Sequence, residues 1–180
     1  MPEYRRAWLK GGTFFFTVVT YRRRPTLETE VAIDLLMRCF QVVMTRLPFT
    51  IDAMVILPDH IHCIWTLPDN DLDFSIRWKQ IKAMFTHNYP GDRRENISDS
   101  MRKKNERGIW QRRFWEHRIR DQEDFNRHCD YIQYNPVKHG LVDLPICWRH
   151  SSLRQFVEKG VYPENWGHTV GRDLVGMDLE

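Results

Sequence analysis

Ile51 to Leu57 and His60 to Leu67 are two apolar runs separated only by Pro58-Asp59. So short a connection joins antiparallel neighbours, because parallel strands need a long crossover. This hairpin fixes the middle of a sheet, and the rest of the chain has to be arranged around it. Thr13 to Thr20 reads as a strand ahead of it, with Tyr21 to Pro25 as a basic connection. Ala32, Leu35, Leu36, Cys39, Phe40 and Val43 recur at helical spacing until Leu47-Pro48. Phe74, Trp78, Ile81 and Phe85 mark a second helix, flanked by Arg77, Lys79 and Lys82. Trp110 to Ile119 reads as a fourth strand, and a further helical pattern begins near Asp121. The order β-α-β-β-α-β predicts an α+β, ferredoxin-like (RRM-like) core with an antiparallel sheet.

At 180 residues the chain fits one domain with a real core. We expect that domain over residues 1–166, with a tail over 167–180. Residues 86–108 are polar and charged, with almost nothing to bury, and read as a flexible loop. A short last helix is expected within Trp148 to Val157, starting at Ser151 or Ser152. The net charge of +3 and a pI near 8.7 are mildly basic, short of a polyelectrolyte binder. No apolar run is long enough to span a membrane and no signal peptide opens the chain, so the expected location is cytoplasmic. Cys39, Cys63, Cys129 and Cys147 lack Cys-x-x-Cys spacing, which suits a reducing compartment.

Alternate side chains of a strand share a face. His60 and His62 therefore point together, and Ile61, Cys63, Trp65 and Leu67 point the other way as a core face. Paired imidazoles make half of a metal site. Cys63 cannot join His62 in a zinc site, since alternation puts it on the opposite face. The late helix carries a second constellation. Asp121 is its expected N-cap, Phe125, Cys129 and Ile132 form an apolar stripe, and Pro136 is expected to close it. Tyr131 and Asn135 share another face, a phenol and an amide oxygen one turn apart, whereas Tyr134 points elsewhere. Taken alone, this is also how an ordinary amphipathic helix looks.

Basic residues cluster beside aromatics. Arg5, Arg6 and Lys10 open the chain, Arg22, Arg23 and Arg24 follow the first strand, and Arg112, Arg113, Arg118 and Arg120 bracket Trp110, Phe114 and Trp115. Guanidinium groups meet phosphates and rings stack on splayed bases, which suits single-stranded nucleic acid. The expected DNA contacts are Arg5, Arg6, Arg112, Arg113, Arg118 and Trp110.

Leu57-Pro58-Asp59-His60-x-His62, Trp110-x-x-x-Phe114-Trp115-Glu116-His117-Arg118 and Asp130-Tyr131-x-x-x-Asn135-Pro136-Val137-Lys138-His139-Gly140-Leu141 occur in this order. Together they resemble the single-tyrosine HUH transposases, above all the branch associated with repetitive extragenic palindromes (REP). Glu3-Tyr4-Arg5-Arg6 and Gly11-Gly12-Thr13-Phe14-Phe15-Phe16-Thr17 fit as well, and the likeness runs over roughly the first 165 residues.

The resemblance implies a single-stranded DNA endonuclease and strand transferase acting at palindromic hairpins. Tyr131 would be the nucleophile, carried on the helix after the core, and the product a 5′-phosphotyrosine with a free 3′-hydroxyl. His60 and His62 would hold a divalent ion, with Asn135 completing the site. Mg²⁺ is the expected ion, with Mn²⁺ as effective or better because two imidazoles are softer than Mg²⁺ prefers. The expected partner is single-stranded or hairpin DNA; monomer or homodimer stays open. Two other readings compete: a domesticated hairpin-binding protein that rarely cuts, and a His-x-His metallohydrolase that activates water.

Overall fold

A computed structural model describes residues 11–71, 73–91 and 97–167. Its sheet has four antiparallel strands in the order β2-β3-β1-β4: β1 (Gly12–Val19), β2 (Thr50–Ile56), β3 (His60–Leu67) and β4 (Trp115–Arg118). With α1 (Glu30–Arg46), α2 (Phe74–Asn88) and α4 (Gln122–Lys138), this is the expected β-α-β-β-α-β core. The long, nearly continuous apolar run of β1 is explained by its place: it is central and covered on both faces.

One face of the sheet presents Phe14, Phe16, Val18, Ile61, Cys63 and Trp65 to α1 and α2. Trp65 stacks on Trp78 of α2 at 4.3 Å and meets Phe40 of α1 edge-on at 5.9 Å, so both helices are locked to the sheet through large rings. The other face presents Phe15, Val55 and Ile64 to Cys129, Tyr131 and Ile132 of α4. His60 and His62 belong to this second face. Every odd-numbered residue of β3 feeds the apolar core, and the even-numbered histidines are turned toward α4.

Several boundaries differ from the sequence reading. The fourth strand is confined to Trp115–Arg118, because Trp110 makes only an isolated bridge with Thr20. The stretch read as a flexible loop carries structure of its own. In it α2 runs on to Asn88, α3 spans Asp99–Lys103, and Ile97 and Met101 are buried. Arg107 ties it down by donating to the carbonyls of Thr86, Tyr89 and Gly91. Pro136 does not close α4, which continues to Lys138. The stop comes at Gly140, whose φ of 65° lets Leu141 N–H reach the Pro136 carbonyl and Gly140 N–H reach Val137. Placing the stop after His139 keeps two further side chains, Lys138 and His139, at the end of the helix. The last helix, α5 (Leu153–Glu158), begins after Ser152 as expected.

Candidate active site

The two strand histidines are held by their inner nitrogens. His60 Nδ1 lies 2.6 Å from Asp59 Oδ1, and His62 Nδ1 lies 2.9 Å from Thr17 Oγ1 on the neighbouring strand. With Nδ1 donating, each ring offers its Nε2 lone pair, the arrangement typical of imidazole ligands oriented by an outer partner. The ring centroids are 4.7 Å apart. Asp59 is itself anchored, by Arg23 at 3.2 Å and by Thr20, whose N–H and hydroxyl both donate to its carbonyl. Burial alone would raise the Asp59 carboxyl, but the hydrogen bond from His60 and the charge of Arg23 outweigh it and hold it low. Burial pushes His62 well below the ordinary histidine range, and the nearby His60, His139, Lys138 and Arg23 push the same way. A neutral imidazole is the form that binds a metal.

Helix α4 supplies the opposing wall. Tyr131 packs against His62 with centroids 5.1 Å apart, and His139, two turns later, packs against His60 at 5.0 Å. Asn135 lies one turn from each, so it faces the histidine pair. It is 1 % exposed, and neither its Oδ1 nor its Nδ2 has a hydrogen-bond partner among the described residues. His62 Nε2 is likewise buried without one. Leaving a buried polar group unsatisfied costs about 1–3 kcal/mol. Unsatisfied atoms of these kinds fit a divalent ion: imidazole nitrogen and amide oxygen are both suitable donors.

Tyr131 is 1 % exposed, its ring held by Phe15 at 6.1 Å and by His62. Lys138 Nζ donates to the phenol oxygen at 3.4 Å and sits 5.0 Å from the ring centroid. Lys138 and His139 were not assigned roles from sequence. Their spacing from Tyr131, seven and eight residues, would have flagged both had the helix been carried through Pro136.

A second polar group lies further up the same inward stripe of α4. His117 on β4, Asp124 and His128 place ligand-type atoms within 4.8 Å of one another. Here, however, the Asp124 carboxylate and one nitrogen of each imidazole already have partners. Asp124 Oδ2 accepts from His117 Nε2 at 2.8 Å, from Arg120 Nε at 3.0 Å and from Arg120 N–H at 3.1 Å. His128 Nδ1 donates to the Asp124 carbonyl at 2.8 Å. Burial would raise the Asp124 carboxyl, but these donors dominate and hold it well below the usual carboxylate range. The His117 and His128 rings stack with centroids 4.6 Å apart and planes within 12°. This group fits a clasp between β4 and α4 better than an ion.

The expected DNA contacts are scattered. Arg112, Arg113 and Arg118 are exposed, with Arg112 paired to Glu106 at 3.1 Å. Trp110, expected to stack on bases, is instead 7 % exposed, with its ring packed against Phe85 at 5.2 Å. Its neighbours turned it inward: it belongs to the core beneath α2. Arg5 and Arg6 lie outside the described residues.

A four-stranded antiparallel sheet carrying a His-x-His pair opposite a helical tyrosine defines a class, and comparison with known proteins agrees with it. Residues 9–135 match the family described as "Transposase IS200 like", and the chain belongs to that family. Within it, the chain belongs with the REP-associated tyrosine transposases. It is 45 % identical over 170 residues to the REP-associated tyrosine transposase of Escherichia coli K12, covering 94 % of this chain and 93 % of that protein. It is 43 % identical over 167 residues to a Haemophilus influenzae protein bearing the same family name, covering 93 % of this chain and 94 % of the relative. The solved structure of a REP-associated tyrosine transposase bound to a REP hairpin superposes with a TM-score of 0.80 at 42 % identity, covering 100 % of this chain and 99 % of that one.

Proposed function

We propose that this transposase cleaves and rejoins single-stranded DNA at palindromic hairpins through a covalent bond to Tyr131. The observation that carries the reading is that His62, whose Nε2 is buried without a hydrogen-bond partner among the described residues, packs against the Tyr131 ring, with the equally buried and unpartnered Asn135 amide one helical turn beyond Tyr131. His60, His62 and Asn135 would hold Mg²⁺, with Mn²⁺ as an effective substitute. When bound, the ion supplies Lewis-acid neutralisation of the non-bridging phosphate oxygens. The rest is work for the chain's own side chains. The Tyr131 oxygen bonds to phosphorus as the phosphorus–O3′ bond breaks; the phenol, which ordinarily titrates near pH ~10, gives up its proton and the departing 3′-oxygen takes one up to leave as a 3′-hydroxyl. The Lys138 ammonium, already donating to that oxygen, stabilises the phenolate as it forms. The new 5′-phosphotyrosine keeps the energy of the broken phosphodiester. A DNA 3′-hydroxyl can therefore displace Tyr131 and restore a phosphodiester, with the proton returned to the phenol.

Hairpin DNA as the ligand is supported by the relative bound to a REP hairpin and by the exposed Arg112, Arg113 and Arg118. Among the described residues, no helix is long and apolar enough to cross a membrane. Tyr131 is covered in this structure, so DNA entry requires neighbouring side chains to move. Lys138, half-buried over the ring, can follow an incoming phosphate.

The test is a denaturing gel of protein incubated with end-labelled hairpin DNA carrying single-stranded flanks. A slow labelled band is expected with Mg²⁺ or Mn²⁺, absent in Tyr131→Phe and retained in Tyr134→Phe. Cleavage by Tyr131→Phe at a near-normal rate would favour water as the nucleophile. Hairpin binding without any cut would favour the domesticated-binder reading.

A further inference from the structure

The ring that the sequence reading sought in Trp110 has a better-placed counterpart. Trp115 pairs with Thr17 across the β1–β4 ladder, and Thr17 pairs with His62 across β1–β3. Cross-strand partners share a face, so His62, Thr17 and Trp115 form one row on the α4 side of the sheet. Trp115 is therefore two strand spacings, about 10 Å, from the metal-site histidine. β4 is the edge of the sheet, and Trp115 is 37 % exposed there.

Its plane is set from below. Phe15 packs edge-on against Trp115 at 5.6 Å, and the same Phe15 touches both His62, at 5.6 Å, and Tyr131, at 6.1 Å. Trp115 and His117 are parallel within 6°, and His117 and His128 within 12°. Three rings thus step from the interior of α4 to the sheet edge in nearly one orientation. The clasp around Asp124 fixes the inner two. On this face the exposed Arg120, whose Nε donates to Asp124 beneath the same rings, supplies a cation for a phosphate backbone; Arg118 pairs with Phe14 and so lies on the opposite face.

We propose that Trp115 is a stacking platform for a nucleobase of the single-stranded segment next to the scissile phosphate. The base would add a fourth ring to the ladder. The inference rests on the reading of His60, His62 and Tyr131 as the cleavage centre, because that centre places the scissile phosphate on this row. Stacking accepts any base, so the platform would hold the strand in position and leave sequence reading to other contacts.

Binding is measured in a Tyr131→Phe background, so that DNA is not consumed. The probe is a palindromic DNA hairpin with single-stranded extensions, in which each extension position in turn carries 2-aminopurine. One position is expected to be quenched on binding. Trp115→Ala should relieve that quenching and weaken binding by about tenfold, while Trp115→Phe keeps most of both. Unchanged affinity and unchanged quenching in Trp115→Ala would overturn the proposal. Should Trp115→Ala fail to fold, an abasic nucleotide scanned through the extensions decides with Trp115 in place. Loss of affinity at the quenched position supports the platform, and equal affinity at every position overturns it. Adduct formation by the Tyr131-containing protein is scored separately. An adduct with no Trp115 effect sinks the platform alone; position-specific stacking without an adduct sinks the cleavage chemistry and keeps the platform.

Discussion

The inward stripe of α4 has two ends built from similar side chains with opposite outcomes. At one end Asp124 and His128 meet His117, and the carboxylate accepts three hydrogen bonds. At the other end Asn135 faces His60 and His62, and its amide has no partner among the described residues. Residue type does not separate a clasp from the proposed reaction centre here. Satisfaction does: a saturated polar cluster holds two elements in register, and an unsatisfied one is held open for something that comes and goes.

The largest effects should come from breaking the open end. His60→Ala or His62→Ala is expected to lower cleavage at least about a hundredfold, since Lewis-acid neutralisation is worth several kcal/mol. Hairpin affinity in a gel-shift titration should stay near that of the unsubstituted protein. Cleavage undiminished by excess EDTA would remove the basis for a metal at this end.

Breaking the closed end should act on stability instead. Asp124→Ala removes a buried carboxylate and strands its donors, and we expect a loss of about 2–4 kcal/mol in urea unfolding. Once folded at low temperature, the variant should still form the covalent adduct. An Asp124→Ala protein as stable as its parent, yet unable to bind metal, would reverse the assignment of the two ends.

Asn135→Ala sharpens the contrast in the other direction. Its amide has no hydrogen bond among the described residues, so the change in unfolding free energy should stay within about 1 kcal/mol. Cleavage should fall roughly tenfold or more at limiting Mg²⁺ and recover partly at high Mg²⁺.

The smallest effect is a pH dependence. Burial pushes His128 below the ordinary histidine value, despite its bond to the Asp124 carbonyl. Between that lowered value and about pH 6.5 the unfolded chain binds the proton more readily. Stability should therefore fall as pH drops below about 6.5, and thermal melts at pH 5 and pH 7 would show it. His62 contributes with the same sign, and Asp59 and Asp124, both held low, matter only in more acidic solution. His128→Phe should flatten the slope; a steeper slope would contradict the sign.

Much of this contrast was legible in the sequence, for identifiable reasons. Period-two alternation around Pro58-Asp59 gave the hairpin and the shared face of His60 and His62. Helical spacing gave Tyr131 and Asn135 one face. The clasp was hidden because His117 comes from a different element, and no local pattern says that β4 lies over the start of α4. Lys138 and His139 were lost to the expectation that a proline ends a helix, whereas Pro136 sits in the last turn with a glycine stop behind it. Trp110 and Trp115 lie in one basic stretch, and composition could not tell which would be buried. Tertiary packing decides it: Trp110 lies in the core against Phe85, and Trp115 stands on the edge strand.

The central claim is that the open end serves one particular oxygen, the hydroxyl of Tyr131. Peptide mapping of the covalent protein–DNA adduct tests it most directly. The account predicts a nucleotide joined through its 5′-phosphate to the peptide containing Tyr131, at that residue and not at Tyr134 or Tyr162. A modification on another tyrosine, or efficient cleavage that leaves no modified peptide, would contradict it.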